Sequence, residues 1–394
     1  TTYIGSYAFY YCVNIPSAVL PTSNSFTEIQ SHTFAHCHSL SNLVINAANK
    51  NIGDHAFYCC YSLPSVTIHS KCINIYVSAF QDCINMSSLT INRVTEIGIS
   101  AFRNCSKLTS VAFPSTNTHI YSYAFMDCIS LTTATFSSTK YMYIYDSAFE
   151  NCISLQTVDL TCLSSYVSSR CFYNCSSLSA ANISTRYNID IQSSAFAQCI
   201  NLSSVTLNNY LGRIESQAFY NCSNLPTIYI PRNVTSISPD AFRYCTGLIS
   251  FEVNPDNLYY VDLDGILYTS DERTLFQYPS NKSDTFYSLP VNTTSILSYA
   301  FHFCANLQDL TIPGKFIHNQ SPIFYNCSAL TRLLYTGQYK FSFSRNDGFV
   351  NCDNLPFVYV YEPYYYSWQY FCGKPAVILP SAPFSVSCEF SLSN

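Results

Sequence analysis

Charge is scarce in this sequence. Its 394 residues carry 18 Lys and Arg against 23 Asp and Glu, a net charge of −5, and only 10% of the chain is charged. No basic run is present, so there is no electrostatic footprint for nucleic acid or for an anionic membrane surface. Glycine is rare as well, with 10 residues in the whole chain, and none forms a phosphate-cradling loop. No stretch of about 18 consecutive apolar residues occurs, so no membrane-spanning helix is expected. Tryptophan occurs once and methionine three times. What fills the space instead is 34 Tyr, 28 Phe and 20 Cys, with Ser, Thr and Asn at most polar positions.

The aromatics and cysteines are not scattered. A cysteine follows a phenylalanine-type position by three residues at Cys12, Cys37, Cys60, Cys83, Cys105, Cys128, Cys152, Cys175, Cys199, Cys222, Cys245, Cys304, Cys327 and Cys352. These fourteen positions are mostly 22 to 25 residues apart. A fixed period of this size marks a stacked-repeat solenoid.

Cys222 to Phe242 shows the unit most clearly. Ile228 and Ile230 lie on one face of a short extended segment and Tyr229 on the other, and Pro231 closes it. Val234 and Ile237 make a second short apolar segment. Ser238-Pro239-Asp240 has the composition of a helix start, which predicts one short helical turn carrying Ala241 and Phe242 inward. Five to seven apolar side chains at roughly 1.5–3 kcal/mol each cannot offset the ordering of some 23 residues at about 1–2 kcal/mol each. A unit is therefore expected to fold only against its neighbours.

The same reasoning bears on the cysteines. Neighbouring rungs would hold the ladder thiols side by side and pointing in parallel, which is poor disulfide geometry. They are expected to be reduced and buried as small hydrophobes. Of the six cysteines off the ladder, Cys372 and Cys388 are the pair favoured for a disulfide, because both lie in the non-repeating end where the stack does not constrain geometry.

The array is interrupted once. Cys245 and Cys304 are 304 − 245 = 59 residues apart. Residues 254–290 include Asp264-Gly265 flanked by apolar and aromatic residues, a strong hairpin signal. Leu275 to Pro279 and Phe286 to Pro290 are expected to be the strand-Pro halves of units that have lost their Ala-Phe turns. Residues 1–360 thus form one solenoid of about fourteen repeats. Residues 361–394, with Trp368, form an aromatic C-terminal cap and tail. Opening at Thr1 in mid-repeat and without a charged, apolar leader, the chain reads as a piece of something longer.

The repeat Cys-x-x-Leu-x-x-Ile-x-Ile-Pro-x-x-Val-x-x-Ile-x-x-x-Ala-Phe resembles that of the BspA-like, Treponema pallidum-type leucine-rich-repeat family, and Cys222 to Phe242 matches it at every named position. The insertion around Asp264 to Tyr268 is similar to one that recurs in the family, and Phe371 to Pro375 looks most like trichomonad members. The resemblance implies a leucine-rich-repeat horseshoe or superhelix with short parallel β-strands. It further implies a non-enzymatic cell-surface or secreted protein that adheres to host cells or extracellular matrix. The alternative is a structural, self-assembling surface solenoid.

Candidate chemistry is thin. His32, His36, Cys37 and His38 are the one dense group of metal-type ligands, but Cys37 is a ladder position, and neither a metal nor a cofactor is expected. Asn-x-Ser/Thr sequons include Asn104, Asn174 and Asn221, which abut the core, and Asn233, Asn281 and Asn292, in turns that suit glycosylation better. For binding, the outward strand positions are the fifth and seventh residues after each ladder cysteine. From the third to the ninth unit these are small, as at Ser88 and Thr90. From the tenth unit they include Tyr229, Glu252, Asp309, Arg332, Phe357 and Tyr359. Aromatic and Arg residues dominate binding hot spots. A monomer is expected to dock a protein partner, a host cell-surface or matrix protein, on this C-terminal third, around Tyr229, Arg332 and the inserted hairpin.

Overall fold

Period-2 burial and backbone pairing between rungs together build the fold. The structure, a computed structural model, describes residues 3–21, 23, 25–45, 49–113, 118–136, 141–313, 318–319, 322–337, 348–361, 370–371 and 374–379. It divides into two compact units, Thr1–Tyr259 and Tyr260–Asn394.

In the first unit most repeats contribute two short parallel strands, and the repeat that follows Cys152 has isolated bridges at Leu163 and Val167 in place of the second. The first set includes Ser65–Ile68 paired with Ser88–Ile91, and Thr227–Ile230 paired with Ser250–Val253, one strand per repeat. Burial alternates along them: Val66 and Ile68 are buried while Ser65 and Thr67 are exposed. The second set runs in parallel through Glu28–Ile29, Asn51–Ile52, Asn74–Ile75, Glu96–Ile97, Thr118–Ile120 and Met142–Ile144. Its inward Ile positions, such as Ile52, Ile75 and Ile97, are buried to within 1%. β-Branched residues suit these half-buried pleats.

The expected helical turn is absent, since no α-helix occurs among the described residues. The Ala-Phe segment is instead a third ladder between rungs. The amides of His32, Phe34 and His36 donate to the carbonyls of Asp54, Ala56 and Tyr58 in the next repeat, at 2.9, 2.8 and 2.7 Å. The intervening amides of Ala35 and Cys37 bond three residues back, to His32 and Phe34. Most such segments hold two residues in the left-handed region, as at His32 (φ 55°) and His36 (φ 63°). A helix would need a continuous right-handed run with bonds four residues apart, and alternate amides are already committed to the neighbouring rung. Ser238-Pro239-Asp240 opens the same kind of turn, with Ala241 bonding back to Ser238 at 3.0 Å.

That geometry explains two sequence preferences. Left-handed backbone is costly for most side chains and cheapest for Asn and Asp apart from Gly. The residue before the ladder cysteine is accordingly Asn or Asp in many repeats, as at Asp82, Asn104, Asp127, Asn151, Asn174 and Asn221, all with φ between 57° and 63°. Their side chains bond from rung to rung, Asn104 Nδ2 to Asp82 Oδ1 at 2.8 Å and Asn174 Nδ2 to Asn151 Oδ1 at 2.9 Å. Gly98 serves close approach, because a Cβ there would lie 2.7 Å from the Tyr76 carbonyl carbon.

The core is a column of rings and thiols. Phe57, Phe80, Phe102 and Phe125 are fully buried and stack at 5.1, 5.2 and 5.2 Å between centroids. All fourteen ladder cysteines are free thiols. Each of those from Cys37 to Cys245 places Sγ within hydrogen-bonding distance of a Phe carbonyl of the preceding repeat, as Cys83 does with Phe57 at 3.3 Å and Cys222 with Phe196 at 3.2 Å. Cys372 and Cys388 lie outside the described residues.

The second unit opens with the expected hairpin. Tyr260–Leu263 pairs antiparallel with Ile266–Thr269, and the turn residues Asp264 and Gly265 have φ of 53° and 76°, as a two-residue hairpin turn requires. The next segment corrects the sequence reading. Thr274–Gln277 is not a strand-Pro half, because it pairs in parallel with Ser295–Ile296, a strand of the second set. Tyr278 then takes the place of the turn phenylalanine, stacking on Phe301 at 5.4 Å while its amide bonds to the Ala300 carbonyl. Phe286–Ser288 is the matching first strand, in register with Asp309 to Thr311. The interruption is therefore a hairpin followed by one complete repeat that lacks the cysteine. Strands Asp309–Ile312, Arg332–Tyr335, Val358–Tyr361 and Lys374–Leu379 carry the first set onward. Residues 362–369, with Trp368, lie outside the described part of the expected cap.

Candidate functional site

The outward strand positions fall in two places, one in each unit. In the first unit Tyr229 and Glu252 face each other across the Thr227–Ile230 and Ser250–Val253 pair. Glu252 is exposed; Tyr229 is half-buried, and its hydroxyl accepts a hydrogen bond from Asn254 Nδ2 at 2.7 Å. The small outward positions expected earlier in this unit line a shallow depression of about 370 Å³, with Thr90, Ser110, Ala112, Thr133 and Thr135 at its surface.

In the second unit Asp309 and Arg332 are register partners, as are Leu334 and Tyr359. The Arg332 guanidinium carbon lies 5.7 Å from the centroid of the Tyr359 ring, and Phe357 meets that ring edge-on at 5.1 Å. Arg332 is exposed and both rings are half-buried. This is a cation resting on an aromatic pair, with an acid one rung away.

The histidine group is an aromatic stack. His32 lies between Tyr7 at 4.6 Å and His55 at 4.7 Å, His36 rests on Tyr11 at 4.3 Å, and His38 on Tyr61 at 4.6 Å. No group of three or more ligands able to hold a metal occurs among the described residues. Burial first, and then the neighbouring histidines, lower the pKa of His36 and of His55. The thiols are equally unsuited to nucleophilic chemistry: burial pushes Cys199 up to about 12, far from the range of a thiolate nucleophile.

The sequon asparagines also separate by their partners. Asn104, Asn174 and Asn221 commit Nδ2 to the preceding rung, and Asn233 Nδ2 donates to the Asn209 carbonyl at 2.6 Å. Asn281 and Asn292 stand exposed in turns.

One feature escaped sequence reasoning. A groove of about 700 Å³ opens on the second strand set of the first unit, lined by tyrosines and by two Arg–Asp pairs. Its signal was available in the outward position just before each inward Ile or Val, which reads Tyr166, Asp190 and Arg213 in successive repeats.

Comparison with known proteins agrees with this architecture. A family model described as "BspA type Leucine rich repeat region (6 copies)" matches residues 2–132, 74–190, 166–264 and 272–371. No curated protein matches significantly. Among solved structures, the chain is similar to a leucine-rich repeat protein from Bacteroides ovatus. The two are 19% identical, with 95% of this chain and 80% of that one covered, at a TM-score of 0.50. A leucine-rich cell surface protein from Faecalibacterium prausnitzii matches at 21% identity over 91% of this chain and 84% of its own, at a TM-score of 0.44. The T. pallidum leucine-rich repeat protein is 28% identical over 39% of this chain and 70% of its own, at 0.36. The first of these likenesses concerns the fold alone. Among the described residues no helix is long and apolar enough to cross a membrane.

Proposed function

Because the chain belongs to the BspA-type leucine-rich-repeat family, we propose that it is a non-enzymatic cell-surface or secreted protein that binds a protein partner and mediates adhesion to host cells or extracellular matrix. The Phe371–Pro375 region is similar to trichomonad members of the family, in keeping with a surface protein of a microbe or protozoan parasite. The observation that carries the docking assignment is the exposed Arg332 guanidinium over Tyr359, with Phe357 against the same ring. Arg and aromatic side chains held rigidly by a sheet lose little entropy on binding and are the types that anchor interfaces. Asp309 beside Arg332 supplies an acceptor of the opposite sign. Tyr229 and Glu252, in the first unit, are further contact residues in this reading.

The protein acts as a monomer in this reading. The test is capture of surface and matrix proteins of host epithelium by the immobilised chain, repeated with Arg332→Ser/Tyr359→Ser and with Tyr229→Ser. Loss of the captured partner in the first variant, with unchanged melting and a monomeric sedimentation coefficient, is the expected result. Capture that survives both variants, or sedimentation as ligand-free polymers, removes the assignment.

A further inference from the structure

The groove on the second strand set arises from a break in an otherwise regular ladder. Ile189–Ile191 pairs in parallel with Leu211–Ile214, but Ile189 faces Leu211 while Asp190 faces Arg213, so Gly212 is an extra residue. Bulges of this kind bend the strand and re-aim its side chains. Gly212 leaves room for the neighbouring carboxylate: a Cβ at 212 would lie 2.9 Å from Asp190 Oδ1, so any larger residue would push that side chain aside. The Asp190 carboxylate of the adjoining strand thus rests against bare backbone at the bulge, and both residues line the groove.

The walls are amphipathic and electrically balanced. Tyr166, Tyr210 and Tyr259 are 40%, 48% and 50% exposed although each borders the concavity. Asp190 pairs with Arg213 at 3.5 Å and Asp256 with Arg232 at 3.7 Å. Two cations and two anions leave no net charge to attract a strongly ionic ligand. The loosely held guanidinium and carboxylate groups still offer several planar donors and acceptors. A volume of about 700 Å³ lies within the range of small-ligand sites. An extended peptide has no purchase by strand addition, because Leu211–Ile214 is already paired on both sides, with Ile189–Ile191 and with Ser236–Ile237.

The ligand that meets these conditions is uncharged, dense in hydroxyls and apolar on its ring faces. We propose that the groove binds a neutral oligosaccharide, whose sugar faces lie on the tyrosine rings and whose hydroxyls bond Asp190, Arg213, Arg232 and Asp256. This site is independent of the protein-docking surface, and its ligand is either a free polysaccharide or the glycan of a glycoprotein.

Calorimetric titration of the whole chain with three- and four-residue oligomers of glucose, galactose and N-acetylglucosamine, and with a sialylated tetrasaccharide, tests the chemistry. Saturable binding of at least one neutral oligomer is expected, weakened at least about tenfold by Tyr210→Ala and by Asp190→Asn. Arg332→Ser should leave it unchanged, which keeps this result separate from the docking assignment. A second arm uses a glycoprotein bearing the bound sugar, before and after enzymatic removal of its glycans. Binding lost on removal assigns the glycan as a source, and binding of the free oligomer alone assigns the polysaccharide. Absence of binding by every neutral oligomer, preference for the sialylated probe, undiminished affinity in Tyr210→Ala, or glycoprotein binding that outlasts its glycans each overturns the proposal.

Discussion

The thiol of Cys222 donates a hydrogen bond to the carbonyl of Phe196 in the preceding repeat, at 3.2 Å. The same carbonyl also accepts the amide of Cys199 at 3.3 Å. A ladder cysteine is therefore a small buried hydrophobe with a donor aimed at a backbone group, which neither Ala nor Val supplies. Two consequences can be measured. The thiols should be unreactive toward alkylating reagents in the native protein and react fully on unfolding, and peptide mapping without reductant should show no link between Cys199 and Cys222. Cys222→Val should destabilise by about 1–3 kcal/mol through overpacking and loss of the donor, and Cys222→Ser by less than Cys222→Val if the hydroxyl keeps the bond.

Phe242 is fully buried and stacks on Phe219 at 5.6 Å, so Phe242→Ala should cost about 3–5 kcal/mol. Tyr229→Ser, on the outward side of the same repeat, gives up mainly a hydrogen bond to Asn254 and should cost far less. Thermal melts that ranked the two substitutions the other way round would reverse the assignment of faces.

Asn174 combines left-handed backbone (φ 57°) with a rung-to-rung side-chain bond. Asn174→Gly keeps the backbone and loses the bond, about 0.5–1.5 kcal/mol. Asn174→Val loses both and should cost about 2–4 kcal/mol in all. Denaturant titration of the two variants separates the contributions. The same bonding implies that, after passage through a eukaryotic secretory pathway, glycan should be found by mass spectrometry at Asn281 or Asn292 and not at Asn174 or Asn221.

The histidine stack sets a pH dependence. His36 and His55 have pKa values lowered in the folded protein, so between the folded and unfolded values the unfolded chain binds more protons. Stability should then be fully present above the unfolded histidine pKa, near about 6.5, and decline as pH falls below it, levelling off once the folded-state values are passed. Asp54 opposes the shift at His55. Melting temperatures taken from pH 7.5 to pH 5 should fall, and less steeply in His36→Gln/His55→Gln. An identical slope in the double variant would assign the acid sensitivity elsewhere.

Much of this molecule was legible in the order of its residues. A 22-to-25-residue period, the inward Ile pair around Tyr229, the parallel thiols and the Asp264-Gly265 hairpin all follow from local spacing, because a stacked repeat presents the same contacts at every rung. The Ala-Phe turn was not legible. Ser238-Pro239-Asp240 has the composition of a helix start, yet the Ala241 and Arg243 carbonyls accept the amides of Phe219 and Asn221 in the neighbouring rung, a demand that appears only when repeats are stacked. The cysteine-less repeat at Tyr278 was hidden for a related reason, since its identity rests on pairing with Ser295–Ile296 and on stacking against Phe301 rather than on a motif. The groove at Gly212 is the furthest from sequence. One extra residue in one ladder, placed opposite Asp190 by strand register, decides where Tyr166, Tyr210 and the two Arg–Asp pairs meet, and register is a relation between segments some 22 residues apart that only the assembled sheet fixes.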